Sequence, residues 1–156
     1  MNYWLMKSEP TSFSIDDLAK APRRTTVWDG VRNFQVRNML RDQFRKGDRA
    51  FFYHSGCAIP GIAGIVKVSR TGYVDRSTFN PKDHHFDPRS TPEKPLWYCV
   101  DVTLVRRFSE LITLASLHRH ATLKDMLILR RGNRLSITPV NARHWQIILK
   151  LAAHAR

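Results

Sequence analysis

The longest regular pattern in the chain is the alternation of side chains in LWYCVDVTLVRRF, residues 96–108. Its period of two places successive side chains on opposite faces of an extended strand. One face carries Trp97, Cys99, Asp101 and Thr103, and the other carries Tyr98, Val100, Val102 and Leu104. This alternation makes the stretch the clearest strand in the chain.

Shorter patterns predict the remaining elements. Runs of β-branched and aromatic residues bounded by Gly or Pro predict further strands, at residues 2–7, 49–55, 61–74 and 134–140. Caps and apolar periodicity predict helices, starting at Ser14, over 31–44, near 114–120 and from Asn141 onward. Residues 75–95 hold four of the eight prolines and lack apolar periodicity, so they are expected to form a long surface loop.

Strands outnumber helices in this prediction and are separated mostly by loops, which argues against parallel β-α-β winding. At 156 residues the chain has the size of one ordinary domain. We therefore predict a single domain over residues 1–156, of the α+β class, built as a small mixed barrel with short helices at its edges.

The charge of the chain points to a polyanionic partner. Twenty-six Lys and Arg against thirteen Asp and Glu give a formal net charge of +13, and such a surface attracts nucleic acids through counterion release. Residues 102–156 contain ten basic residues against Glu110 and Asp125, a net +8. We expect nucleic acid as the partner and the C-terminal third as the main basic surface.

Several classes are not supported by the sequence. Cys57 and Cys99 are 42 positions apart without zinc-finger spacing, so both are expected to be reduced. The N-terminus lacks a signal-peptide pattern and no window approaches ~18 apolar residues, so neither export nor a membrane is expected. We expect a cytoplasmic protein, or a nuclear one in a eukaryote, that is monomeric and needs no cofactor.

Catalytic and metal-binding patterns are weak. No G-x-S-x-G, P-loop, H-E-x-x-H or G-x-G-x-x-G motif is present. The pairs His84-His85 and His118-x-His120 lack acidic or cysteine company, so solvated histidines are expected and no metal site is predicted.

The stretch WDGVRNFQVRNML, residues 28–40, places a tryptophan before the Asp29-Gly30 turn. On a continuous helix Arg37, Arg41 and Arg45 would form one ridge, which could bind phosphates or be only a solvated face. Asn33 would sit beside the turn, where an amide can recognise the hydrogen-bonding edge of a base.

Aromatic side chains are concentrated in strand-like runs, at Tyr3-Trp4, Phe51-Phe52-Tyr53 and Trp97-Tyr98. Each of them could simply pack in the core. Together with Trp28, and interspersed with Lys, Arg, Ser and Asn, they also fit a site that stacks an unpaired base.

Six stretches, in this order, resemble the EVE domain family: YWLMKSEP, WDGVRN, FFYHS, PGIAGI, PLWYCVDV and RLSITPV. The resemblance implies a PUA-like pseudobarrel and recognition of a modified base, such as a modified cytosine, in DNA or RNA. It places the base pocket at Lys7, Ser8, Trp28, Asn33, Tyr53, Ser55, Trp97, Arg134, Leu135 and Ser136. Phosphate contacts are expected from Arg32, Arg37, Arg41, Arg45, Arg130 and Arg131. The chain departs from the family pattern at Phe34, Val36 and Leu96.

The leading hypothesis is a non-catalytic reader that takes one modified base into an aromatic pocket. A second is a nucleotide- or RNA-modifying or hydrolysing enzyme of the ASCH type. Its catalytic groups would have to come from Lys7, Glu9, Asp29, Tyr53 and His54. A third is a small-molecule sensor or a partner-docking module.

Overall fold

The computed structural model describes residues 1–154. The strands are β1 (Tyr3–Ser8), β2 (Thr25–Trp28), β3 (Arg49–His54), β4 (Gly61–Val74), β5 (Tyr98–Thr113) and β6 (Ile137–Val140). The α-helices are α1 (Ile15–Lys20), α2 (Phe34–Asn38), α3 (Leu114–His118) and α4 (Ala142–His154). Within the described residues α4 is the longest helix, at 13 residues, and none is long and apolar enough to cross a membrane.

All six strands belong to one sheet in the order β2-β5-β4-β3-β1-β6. Neighbouring strands are antiparallel except β1 and β3, which run parallel. The β4–β5 pair carries several register shifts, and such irregularities bend strands. The bending is large, because the Trp28 ring on β2 lies 5.6 Å from the Phe52 ring on β3 although two strands separate them in the sheet. The mixed α+β barrel predicted from the sequence is confirmed.

Alternation along the strands produces two cores. Trp4 and Met6 of β1 and Phe52 of β3 face the interior of the curled sheet, together with side chains of α1 and α2. Leu5 and Phe51 face the outer side, where α3 and α4 cover them. The apolar face predicted for 96–108 is confirmed, since its valines and leucine lie in the interior core.

Asp48 joins the interior core to the chain segments around it. Its carboxylate is 2% exposed and accepts hydrogen bonds from the Trp4 indole Nε1 at 3.1 Å, from the Asn2 backbone N at 3.0 Å and from the Arg45 backbone N at 2.9 Å. The Trp4 ring in turn stacks on Phe44 at 4.3 Å. One buried side chain therefore ties β1 to the end of the α2 segment.

The helix predicted over 31–44 is shorter than expected. It begins at Phe34, changes after Asn38 to a π-helical turn over Met39–Gln43, and ends at an extended Phe44. Because the π-helical turn changes the angular spacing and Arg45 follows the turn, the predicted ridge of Arg37, Arg41 and Arg45 does not form.

The remaining elements agree with the prediction in kind, although some boundaries shift. The capping box of Ser14 and Asp17 starts α1 as predicted. The strand predicted from residue 96 begins at Tyr98 and continues to Thr113, and β6 begins at Ile137 rather than 134. The loop over 75–95 is present, with one 3-10 turn at Arg76–Phe79.

Replacing Asp48 by Asn tests the importance of its three hydrogen bonds. The carboxamide keeps the shape but presents an NH2 group to a backbone or indole donor, so we expect the free energy of unfolding to fall by about 2–3 kcal/mol. Urea denaturation measures the change. Asp42→Asn is the matched control, because Asp42 is exposed in an ion pair with Arg41, and we expect it to change stability far less. Equal effects of both variants would contradict the role given to Asp48.

Candidate functional site

A cleft of about 360 Å³ opens between the C-terminal end of β1, the following connection and strand β2. It exists because the sheet curls far enough to bring edge strand β2 towards β1. Its lining residues are Lys7, Ser8, Glu9, Ser12, Phe13, Thr26, Val27, Trp28 and Asp29.

The floor of the cleft is aromatic. Trp28 is partly buried and meets Phe52 edge to face, with an interplanar angle of 86°. Phe13 contacts the same Phe52 ring from another side, at a centroid distance of 6.5 Å. Phe52 is fully buried, so it supports both lining rings, and the indole of Trp28 is held in one orientation while part of it stays accessible.

Charged and polar groups surround these rings. Lys7 is half-buried, and this burial lowers the pKa of its ammonium group. Burial raises the pKa of the Asp29 carboxyl; the charge of His85 acts to lower this pKa, and the charges of Asp75 and Asp83 act to raise it. The Ser8 hydroxyl donates to the Phe13 carbonyl at 2.6 Å. The cleft therefore combines a cationic donor with an anionic acceptor beside aromatic surface.

The loop after β4 holds the turn that follows Trp28. Gly30 has a φ of +75°, and its N–H donates to Asp75 Oδ2 at 3.0 Å. The His85 ring packs directly on Gly30, where a Cβ atom would stand 2.5 Å from its Nε2. Arg32 donates to the His85 carbonyl and lies 3.7 Å from Asp75. The role of Asp75 and His85 in holding this turn could not be predicted from the sequence, because both residues lie far from the turn along the chain.

Trp97 lies outside the cleft, which corrects its predicted role as a stacking wall. The side chain is 1% exposed, its Nε1 donates to Asp87 Oδ2 at 2.8 Å, and its ring stacks on Phe34 at 4.7 Å. Hydrogen bonds from Arg89 and Trp97 hold the pKa of Asp87 far below its usual range. An indole packed in this way is not available to a base.

Two other predicted pocket residues are placed elsewhere. Tyr53 is 2% exposed in the outer core because its strand position points away from the interior, and burial raises the pKa of its phenol to about 12. Asn33 is exposed and uses its Oδ1 to cap α2 by accepting from the Val36 N–H at 3.0 Å. Neither lines the cleft.

The remaining predicted pocket residues lie at its margin. Ser55 donates its backbone N–H to the Ser8 carbonyl at 3.0 Å, and the Ser136 carbonyl accepts from the Lys7 N–H at 2.8 Å. Leu135 packs against the interior core, and Arg134 is exposed. The chain segments carrying these residues therefore adjoin β1, but the side chains do not line the cleft.

The arginines predicted to bind phosphates make local contacts. Arg37 donates to the Leu96 carbonyl at 2.8 Å, Arg41 pairs with Asp42, and Arg45 donates to the carbonyls of Asp42 and Phe44. Arg32 braces the turn, as described above. Arg130 and Arg131 are exposed after a 3-10 turn, and Arg130 lines a separate cavity with Asp125 and His144. The six guanidinium groups do not converge on the cleft.

The histidine pair of the long loop is not simply solvated. Asp83, His84 and His85 each place one ligand atom within 4.8 Å of the others. His84 is 85% exposed, whereas the side chain of His85 is 24% exposed and lies against Gly30. The expectation of solvated histidines without an acidic neighbour is therefore wrong for His85, whose Nδ1 lies 3.5 Å from Asp83 Oδ1 and which packs in the loop that holds the turn.

Comparison with known proteins agrees with this architecture. Residues 2–151 match the family model of the EVE domain. The chain belongs to the EVE domain family. Thymocyte nuclear protein 1 of Danio rerio is 42% identical over 165 residues, which cover 95% of this chain and 71% of that protein.

Solved structures of EVE proteins are close in shape as well. The human THYN1 protein, in complex with DNA containing 5-methylcytosine, is 41% identical with a TM-score of 0.91, covering 97% of this chain and 98% of that chain. An ASCH protein of Zymomonas mobilis is 12% identical with a TM-score of 0.51, covering 97% of this chain and 99% of that one. The latter likeness shows a shared fold alone.

Replacing Gly30 by Ala tests how the turn of this EVE domain is held. The left-handed φ alone costs about 1–2 kcal/mol for alanine, and the new Cβ atom must also displace His85. Gly132→Ala is the matched control, because Gly132 has a φ of +81° with no atom within 4 Å of a built Cβ. Thermal unfolding should show a loss of stability for Gly30→Ala about twice that for Gly132→Ala. Adding His85→Ala to Gly30→Ala should remove this difference, because the ring that the Cβ atom displaces is then absent. Equal losses would contradict the contact.

Asp29→Asn tests whether the cleft costs stability. Because burial raises the pKa of Asp29 in the folded protein, folding disfavours its charged form. That penalty is complete above the raised pKa and fades as the pH falls through it. We expect Asp29→Asn to raise the melting temperature slightly at neutral pH and to lose this advantage in acid. Asp125→Asn, at an exposed carboxyl, is the control and should leave the melting temperature at neutral pH close to that of the parent.

Proposed function

We propose that this EVE domain is a non-catalytic reader that takes a single modified base of a nucleic acid, such as a modified cytosine, into the cleft beside Trp28. The accessible indole flanked by Lys7 and Asp29 carries the proposal. The human relative bound to 5-methylcytosine DNA supports it. In this proposal the protein acts as a monomer, in the cytoplasm or in the nucleus of a eukaryotic cell.

The chemistry of the cleft suits a cytosine ring. Cytosine presents its N4 amino group as a donor, and a carboxylate is a suitable acceptor for it. Asp29 and Glu9 offer carboxylates, and Lys7 offers a donor for the N3 or O2 acceptors on the same edge. Trp28 and Phe13 supply apolar ring surface for the base. A volume of about 360 Å³ also falls among ordinary small-ligand sites.

The energetics predict modest discrimination. One stack on an aromatic ring contributes about 1–3 kcal/mol, while extracting a base from a duplex costs a few kcal/mol. Contacts to the backbone must therefore supply the net affinity, in keeping with the charge of +13. Burying one additional methyl group adds about 0.8 kcal/mol, so we expect a preference of about fourfold for a methylated base.

An enzyme of the ASCH type is the second candidate, because Lys7, Glu9 and Asp29 meet in one cleft. The other two groups it would need lie elsewhere. Tyr53 is in the outer core, and His54 lines a different cavity with its Nε2 accepting from the Ile15 N–H at 3.1 Å. Without either group, an enzyme of this type would have to use Lys7, Glu9 and Asp29 alone. The third candidate, a sensor, would retain a free heterocycle that native mass spectrometry of the purified protein detects.

The variant Trp28→Ala tests whether the cleft binds the modified base. We expect it to weaken binding to an oligonucleotide with one 5-methylcytosine by about 1–3 kcal/mol and binding to the unmodified oligonucleotide less, because the unmodified base lacks the methyl contact and occupies the cleft less often. Fluorescence anisotropy at two salt concentrations measures both. Trp28→Phe is the control, since it keeps a ring for stacking.

Two outcomes would contradict the proposal. If Trp28→Ala folds normally and binds both oligonucleotides like the parent, the cleft does not take the base. If incubation of the parent with modified oligonucleotides yields an altered nucleoside by mass spectrometry, the protein is an enzyme instead.

A further inference from the structure

Phe34 is an exposed aromatic side chain on a rigid support. Its side chain is 48% exposed at the start of α2. Its ring nevertheless stacks on Trp97, with centroids 4.7 Å apart and an interplanar angle of 19°. A large exposed ring is normally free to adopt several rotamers, whereas this one rests against a buried indole.

The support beneath Phe34 is immobilised by hydrogen bonds and cations. Trp97 donates to Asp87, and the guanidinium carbon of Arg32 lies 5.2 Å from the Trp97 ring centroid. The guanidinium carbon of Arg37 lies 4.9 Å from the Phe34 ring centroid, and Arg37 donates to a backbone carbonyl. The exposed ring is therefore held in place with cationic groups beside it.

The ring also lies near the cleft. Trp28 pairs with Val100 across β2 and β5, and Trp97 precedes Val100 by three residues, which places it roughly 10 Å along the strand direction. Arg32 reaches from the turn after Trp28 to the Trp97 ring. Because Phe34 stacks on Trp97, its ring stands roughly 10–15 Å from the stacking surface of Trp28.

The surroundings of Phe34 carry positive charge. Residues 31–46 contain five Lys and Arg against Asp42 alone, a net +4. A basic segment of this kind favours contact with a nucleic acid backbone. An apolar side chain inside it has no reason to be exposed for solubility, but it suits insertion between bases.

We propose that Phe34 is a wedge that enters the duplex at the position vacated by the extracted base. This inference rests on the proposed function, because a wedge is needed only where a base leaves a stack. Extraction leaves the neighbouring bases unstacked and an apolar gap between them. The Phe34 ring fills that gap and restores stacking, and the net positive charge of residues 31–46 attracts the adjacent phosphates.

The proposal is tested with a duplex and a single strand of identical sequence that carry one 5-methylcytosine, and with the unmodified form of each. The variants are Phe34→Ala, Phe34→Leu, Trp28→Ala and, as an exposed apolar control, Ile59→Ala at a side chain that is 64% exposed. Dissociation constants are measured for each, and thermal unfolding checks that each is folded.

We expect Phe34→Ala to weaken duplex binding about tenfold, equivalent to 1.4 kcal/mol, and single-strand binding less than about twofold, because a single strand leaves no gap. Phe34→Leu keeps an apolar wedge, so its affinity for the duplex should be intermediate. Ile59→Ala should bind both probes like the parent, and Trp28→Ala should weaken binding to both probes. If Phe34 had only a structural role, Phe34→Ala would weaken binding to both probes by the same factor.

Each result supports or overturns a specific claim. If Phe34→Ala loses the same affinity for both probes, or loses affinity for neither, the wedge proposal is overturned. A parent that prefers modified single strands but binds no duplex also overturns the wedge and leaves the cleft assignment intact. A parent with no preference for the modified base overturns the proposed function itself.

Discussion

The edge-to-face contact between Trp28 and Phe52 is the interaction on which the rest of the site depends. It joins strands that two others separate in the sheet, so it forms only when the sheet curls. The curl brings β2 opposite the end of β1, and the cleft is the gap left between them. The bulges in β4 and β5 make this possible because they bend the two longest strands.

The cleft is also maintained at a cost to stability. Burial disfavours the charged forms of both Lys7 and Asp29, and the turn after Trp28 requires a left-handed residue. The hydrogen bond that the Gly30 N–H donates to Asp75 of the 75–95 loop offsets part of this cost. Strain and desolvation concentrated at one place are typical of binding sites, where groups are kept ready for a ligand.

Much of the fold and part of the site could be predicted. The alternation in 96–108 predicted the longest strand, β5, and the Ser14 cap predicted α1, because both are local properties of neighbouring residues. The prediction that Lys7, Ser8 and Trp28 lie together came from the family resemblance. Trp97 could not be placed, since an aromatic residue at a strand end has the same sequence signature whether it lines a cavity or packs against a buried carboxylate such as Asp87.

The sequence by itself determined five of the six strands of the sheet, all but β2, together with the capped helices, the basic charge and the family. Only the tertiary structure decided which aromatic rings stay accessible and which are buried. The physical reason is that accessibility depends on contacts between distant segments, such as Gly30 and Asp75, which are 45 positions apart. Residue spacing encodes the face of a strand, but the curl of the sheet and the loop that packs on it determine what covers that face.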